Sequence, residues 1–152
     1  VYAVMAEENS KPLHVADTYS DEAAREVVRR LRFDTGHYSR CWEISSGHIT
    51  EAAWHFLAEL ADIATPTTFM FIAFRIPYSQ AIGVKLIATP WTDANLRKVE
   101  GTTAKRLDRE HRRKGMPDCL VEVLRLAALA DVRMLVFDAD APVLDGLPVF
   151  DE

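Results

Sequence analysis

Three groups of residues have the types and spacing that chemistry uses. Late in the chain, Asp138, Asp140 and Asp145 follow the apolar run Met134–Phe137. Hard carboxylate oxygens converging at a strand end are a donor set for a divalent cation. No histidine or other paired ligand accompanies them, so an acidic surface loop is the expected reading and no metal or cofactor is assigned. His48, Glu51 and His55 are spaced i, i+3 and i+7, one face of a helix. Two imidazoles and a carboxylate are the ligands of a non-haem metal site, yet that face lies nearly opposite the stripe Ala53, Leu57 and Leu60 and is expected to meet water. His48 alone sits at a strand-to-helix junction, where backbone N–H groups can hold an anion. Ser45 and Ser46 beside it suggest a Ser–His nucleophile, but no Gly-X-Ser-X-Gly elbow or assignable acid completes one.

The third group is basic. Between Arg97 and Lys114 stand Arg97, Lys98, Lys105, Arg106, Arg109, Arg112, Arg113 and Lys114, opposed only by Glu100, Asp108 and Glu110. Eight cations against three anions leave +5. Ten cations and twenty anions make the remainder −10, so the net charge of −5 conceals a polarised chain. Lys105, Arg106, Arg109, Arg112, Arg113 and Lys114 are the candidate binding residues, suited to phosphates. The stacking aromatics of a single-strand binder are missing.

These groups must be positioned by strands and helices that the pattern locates. Ser20 caps a helix whose apolar stripe is Ala24, Val27, Val28 and Leu31, with a natural stop just before Gly36. Val1 to Ala6 reads as a short strand or a frayed arm and Glu7 to Pro12 as a loop, so that residues 1–12 together could form a flexible arm, and Leu13 to Thr18 reads as a strand. Arg40 to Ser45 alternates as a strand, and Thr50 caps a helix ending near Thr65-Pro66. Phe69 to Phe74 is apolar without alternation, which predicts a strand covered on both faces. Each large side chain buried there contributes roughly 1.5–3 kcal/mol. Ala81 to Ala88 alternates, and the two runs form a hairpin with a loop of about four residues. Thr92 or Asp93 caps a short helix to Val99. Residues 102–114 carry only Ala104 and Leu107 as apolar side chains, predicting a solvated helix or a flexible arm outside the core. Asp118 to Ala130 is a deeply buried helix opened by Pro117, Val132 to Asp138 a last strand, and residues 139–152 a loop-like tail.

The fold class is therefore α/β (α+β), one domain over residues 1–152, with a mixed β-sheet around the central hairpin and helices packed on it. A chain of 152 residues buries a core without staples, and 49% hydrophobic with 27% charged residues excludes disorder. No apolar run reaches about 18 residues, so no membrane partner is expected. No leader peptide is read at Val1. Cys41 and Cys119 are expected as reduced, buried thiols in a cytoplasmic protein. Tyr38, Arg75 and Tyr78 lie near turns, where interface anchors often stand.

The segment Leu135-Val136-Phe137-Asp138-Ala139-Asp140 resembles the nucleophile loop of haloacid-dehalogenase-like phosphatases. In that family the loop follows the first strand. Here about a dozen residues remain after Asp140, leaving no room for the later motifs. A second resemblance covers Tyr38 to Trp54 and Met134 to Glu152. Those stretches are similar to an uncharacterised bacterial domain family of integrative and conjugative elements and plasmids. It lends no catalytic residue. It implies a cytoplasmic accessory protein of a mobile element, one role for which is interference with host defence. The expected function is non-catalytic binding to a protein or protein–nucleic-acid complex, with direct nucleic-acid contact through the basic segment as a variant. A small metal-dependent hydrolase or nuclease using His48, Asp138 and Asp140 is the alternative.

Overall fold

A computed structural model describes residues 1–8, 10–31 and 39–150. Its contacts divide the chain into two compact units, Val1–Tyr38 and Ser39–Glu152, where the sequence reads as one domain. Gly36, His37 and Tyr38 lie outside the described residues.

In the first unit, β1 (Tyr2–Glu8) pairs antiparallel with β2 (Lys11–Thr18), with a register shift between Val4 and Met5. The opening residues considered as an arm thus form a strand. The helix α1 (Asp21–Leu31) begins at Ser20, whose Oγ accepts from the Ala23 N–H at 3.1 Å. Its surface is laced by Arg25–Asp21 and by Glu26 with Arg29 and Arg30. Those two guanidiniums hold the Glu26 carboxyl down to about 2. Val4 is buried, whereas Tyr2, Met5, Leu13 and Val15 are exposed.

The second unit holds a four-stranded sheet in the order β3 (Arg40–Ser45), β6 (Val132–Asp138), β5 (Ile82–Leu86), β4 (Phe71–Arg75). β3 and β6 are parallel and the other pairs antiparallel. The hairpin β4–β5 therefore occupies one side of the sheet, with β4 at the edge, and is not its centre. Opposed residues share a face: Phe71 with Leu86, Ala73 with Val84, Val84 with Leu135, Ile82 with Phe137, and Ile44 with Phe137. That face joins Ala53 and Leu57 of α2 (Glu51–Asp62) and Leu120, Leu124 and Ala127 of α5 (Asp118–Leu129) in one apolar cluster.

The opposite face corrects the expectation of a strand covered on both sides. Ile72 is 48% exposed, Glu43 and Lys85 are exposed, and Phe74 and Met134 are half-buried. The apolar run has a different origin. Phe69 and Met70 belong to a 3-10 turn, Thr67–Phe69 with Met70 at φ 60°, and not to the strand. Within β4 the burial alternates as an antiparallel strand with one wet face requires. Phe74 is accounted for by its cross-strand partner Gly83, where the ring lies over the glycine backbone. Cys41, expected in the core, is exposed on β3, and Cys119 is half-buried.

A β-carbon added at Gly83 would collide with the Phe74 ring. Gly83→Ala is expected to lower stability by about 1–3 kcal/mol, the cost of overpacking. Combining it with Phe74→Leu should restore part of that loss, read as the urea midpoint of single and double variants.

Candidate functional site

The basic segment is ordered. α3 (Asp93–Glu100) is capped by Thr92, whose Oγ1 accepts from the Asn95 N–H, and α4 (Ala104–Arg113) by Thr103, which accepts from the Arg106 N–H. The expectation that residues 102–114 lie outside the core is corrected. Leu107 and His111 are buried one turn apart, and Ala104 is half-buried beside them. His111 decides which way α4 faces. Its Nε2–H donates to the Phe69 carbonyl at 2.7 Å. Its ring stands edge-on to Phe69 at 5.5 Å and Phe71 at 5.8 Å, and tilted to Trp91 at 5.6 Å. Arg112 straps the helix down further, pairing with Asp108 on α4 and with Asp118 and Glu122 on α5.

With that face inward, Lys105, Arg106, Arg109 and Arg113 fall on the opposite side, within about 100° of arc at 100° per residue. All four are exposed. Arg113 pairs with Glu110, whose carboxyl it holds below the usual range. Lys105, Arg106 and Arg109 have no salt bridge among the described residues, nor do Arg97 and Lys98 on α3. Of the six cations singled out in the sequence, the structure thus leaves three open, keeps Arg113 exposed but paired, and uses Arg112 internally. Lys114 lies at the C-terminal cap, its charge acting on Glu110.

His48 has a different role from any considered in the sequence. It is buried within a 3-10 turn, Ser46–His48, and α2 starts only at Glu51, so His48, Glu51 and His55 do not share a helical face. Both ring nitrogens are occupied. The Leu144 N–H donates to Nε2 at 2.9 Å, and Nδ1 lies 2.7 Å from the Pro148 carbonyl. An N–H can only donate and a carbonyl only accept, so the proton sits on Nδ1. Two further bonds hold the same tail, Ser45 N–H to the Pro142 carbonyl at 3.3 Å and Phe150 N–H to the Gly47 carbonyl at 2.9 Å. His48 is the clasp of residues 142–150. Ser45 Oγ accepts from the Gly47 N–H and caps the turn.

The late aspartates are similarly engaged or apart. Asp138 Oδ1 accepts from the Asp140 N–H at 2.9 Å, closing the turn after β6, while Asp140 and Asp145 are exposed. Among the described residues no three His, Cys, Asp or Glu side chains are gathered as metal ligands. Arg75 grips Asp62 through two bonds of 2.5 and 2.9 Å and lies 6.0 Å from the Trp54 ring, whereas Tyr78 is wholly exposed in the hairpin turn. An apolar cleft of about 400 Å³ lies between the start of α5 and the tail, lined by Val123, Leu126, Leu147, Pro148 and Phe150. No described helix is long and apolar enough to cross a membrane.

Residues 41–152, nearly coincident with the second unit, match the C-terminal domain of a family of unknown function, DUF5983. The chain belongs to that family. No curated protein and no solved structure matches it. The DUF5983 domain thus contains the sheet, the cationic helix and the clasped tail together.

His48→Ala strips partners from the part-buried Leu144 N–H and Pro148 carbonyl, and is expected to lower stability by about 1–3 kcal/mol in all, since water reaches part of the site. Native-state hydrogen exchange should show amides 144 and 150 opening first. Burial lowers the His111 imidazole below its ordinary value, against the Phe69 carbonyl and the charges of Asp108 and Glu110, which favour its proton. Above the unfolded value near 6.5 both states are neutral, and stability is complete. As pH falls from there through the folded value, the unfolded chain binds a proton that the folded chain refuses, and stability is lost. The urea midpoint should therefore decline as the pH is lowered below about 6.5. His111→Phe should flatten that decline while lowering stability at neutral pH.

Proposed function

We propose that this DUF5983 protein is a non-catalytic binding module that docks through the outward face of α4 onto an anionic surface of a protein or protein–nucleic-acid assembly. The observation that carries the reading is the exposed trio Lys105, Arg106 and Arg109, without a salt bridge among the described residues, on a helix anchored from behind by Leu107 and His111. A flexible basic tail would have to be ordered on binding, at an entropic cost. Here the cations project from a backbone already fixed, so less of the interaction energy is lost to ordering. Arg97 and Lys98 extend the same sign of charge onto α3. In the wider setting we assign it the role of a cytoplasmic accessory factor of a bacterial mobile element, directed at a host assembly such as a defence complex. The resemblance of Tyr38–Trp54 and Met134–Glu152 to domains of such elements supports that setting.

Retention on immobilised heparin tests the docking face, because a chain of net charge −5 has no bulk reason to bind a polyanion. Wild type should be retained at low salt. Arg106→Glu with Arg109→Glu should elute in the flow-through, whereas Lys11→Glu with Lys85→Glu, an equal change of charge elsewhere, should elute close to wild type. Equal loss in both double variants would show that net charge, and not α4, governs retention and would sink the reading.

A further inference from the structure

The arrangement of α3 and α4 narrows the anionic partner, and the inference rests on the reading of α4 as the docking face. α3 ends at Gly101 in the left-handed region, φ 65°, its N–H turned back to the Arg97 and Leu96 carbonyls. Three residues, Gly101 to Thr103, then lead into α4. The Asp93 carboxylate, in the first turn of α3, accepts from the Ala104 N–H at 2.9 Å, which ties the start of α3 to the start of α4 across the turn. Leu96 from α3 and Leu107 from α4 both lie in the apolar cluster beneath. Two helices joined by a three-residue, glycine-containing turn, each fastened by an inward leucine, are the parts of a helix–turn–helix. In that motif the second helix is the one that enters the DNA major groove.

The chemistry of the exposed arc agrees. Protein-docking surfaces centre on aromatic and apolar anchors and are depleted in lysine. The outward arc of α4 carries no apolar side chain, only Lys105, Arg106, Arg109 and Arg113. Phosphates take such cations in a row, and arginine can also grip a guanine edge with two bonds. No Asn, Gln, Ser or Thr stands on the arc to read other bases, so contacts to the backbone dominate and sequence preference is weak.

We propose that α3 and α4 form a helix–turn–helix that lays the cationic face of α4 in the major groove of duplex DNA, with Lys105, Arg106 and Arg109 on phosphates. The groove matters: the major groove of A-form RNA is too deep and narrow to admit a helix.

Fluorescence anisotropy of the full chain would test this with four probes: a mixed-sequence DNA duplex of about 20 base pairs, the RNA duplex and the DNA single strand of the same sequence, and polyglutamate. The DNA duplex should bind at least tenfold more tightly than the other three. The plot of log affinity against log salt should have a slope near −3, from about three phosphate contacts at −0.9 each. Arg106→Glu with Arg109→Glu should abolish that preference, and Arg106→Gln with Arg109→Gln should bring the slope to about −1. Equal binding of RNA duplex, single strand or polyglutamate, weakened by the same substitutions, would overturn the groove assignment and leave the docking face standing. Absence of binding to all four probes, with no heparin retention, would overturn both.

Discussion

The position of α4 depends on one buried imidazole. His111 is a polar residue in an aromatic enclosure, and it is tolerated there because its Nε2–H has the Phe69 carbonyl 2.7 Å away. A polar group buried without a partner costs a few kcal/mol, so that bond is a condition of the packing. The three rings around it come from different places. Phe69 closes the 3-10 turn before β4, Phe71 begins β4, and Trp91 precedes α3. Trp91 is itself fixed by its Nε1–H to the Ile87 carbonyl at 2.8 Å. Helix α4 is thereby referenced to the edge of the sheet and to the start of α3. Rotating it by one residue would withdraw His111 from the carbonyl and bring Arg112 toward the core. The orientation of the cationic face follows from that exclusion.

A comparable device works at the other end of the sheet. Residues 139–150, after β6, have neither helix nor strand to satisfy their backbone, and they lie against the turn that follows β3. Four hydrogen bonds tie the two together, and His48 supplies two of them by donating at one nitrogen and accepting at the other. Leu144 and Leu147 pack against the core from the same tail. His48 and His111, the two buried histidines among the described residues, are each bonded to main chain, which accounts for their burial without a gathered ligand cluster there.

Much of the local structure was legible in the sequence because its causes are local. The strands Arg40–Ser45 and Val132–Asp138 have the bounds their patterns indicated, and Thr50 and Thr92 cap the helices they precede. What was not legible depends on residues far apart in the chain. The run Phe69–Phe74 looked doubly buried because three unrelated roles sit side by side in it: a turn anchor, a core face and a ring over Gly83, nine residues beyond Phe74. His48 was placed on a helical wheel that does not begin until Glu51. Residues 102–114 looked detached because a histidine counts as polar in any periodicity, and its carbonyl partner lies 42 residues earlier. The six cations were legible as a group, but their division into strap and free face was not, since Asp118 and Glu122 lie on the next helix.

An acidic protein with a cationic helix raises the question of which charge an anionic partner meets. Charges interact across solvent over a Debye length, about 8 Å at physiological ionic strength. The cations on α4 lie within a helix of 10 residues, roughly 15 Å long at 1.5 Å per residue. A partner touching that arc therefore meets Lys105, Arg106, Arg109 and Arg113 together, while the carboxylates of the same helix are already engaged, Glu110 by Arg113 and Asp108 by Arg112. Carboxylates farther than a Debye length contribute little at contact, although at low salt they reach further and repel. The surplus negative charge then acts chiefly on orientation, turning the remaining faces away while α4 approaches first.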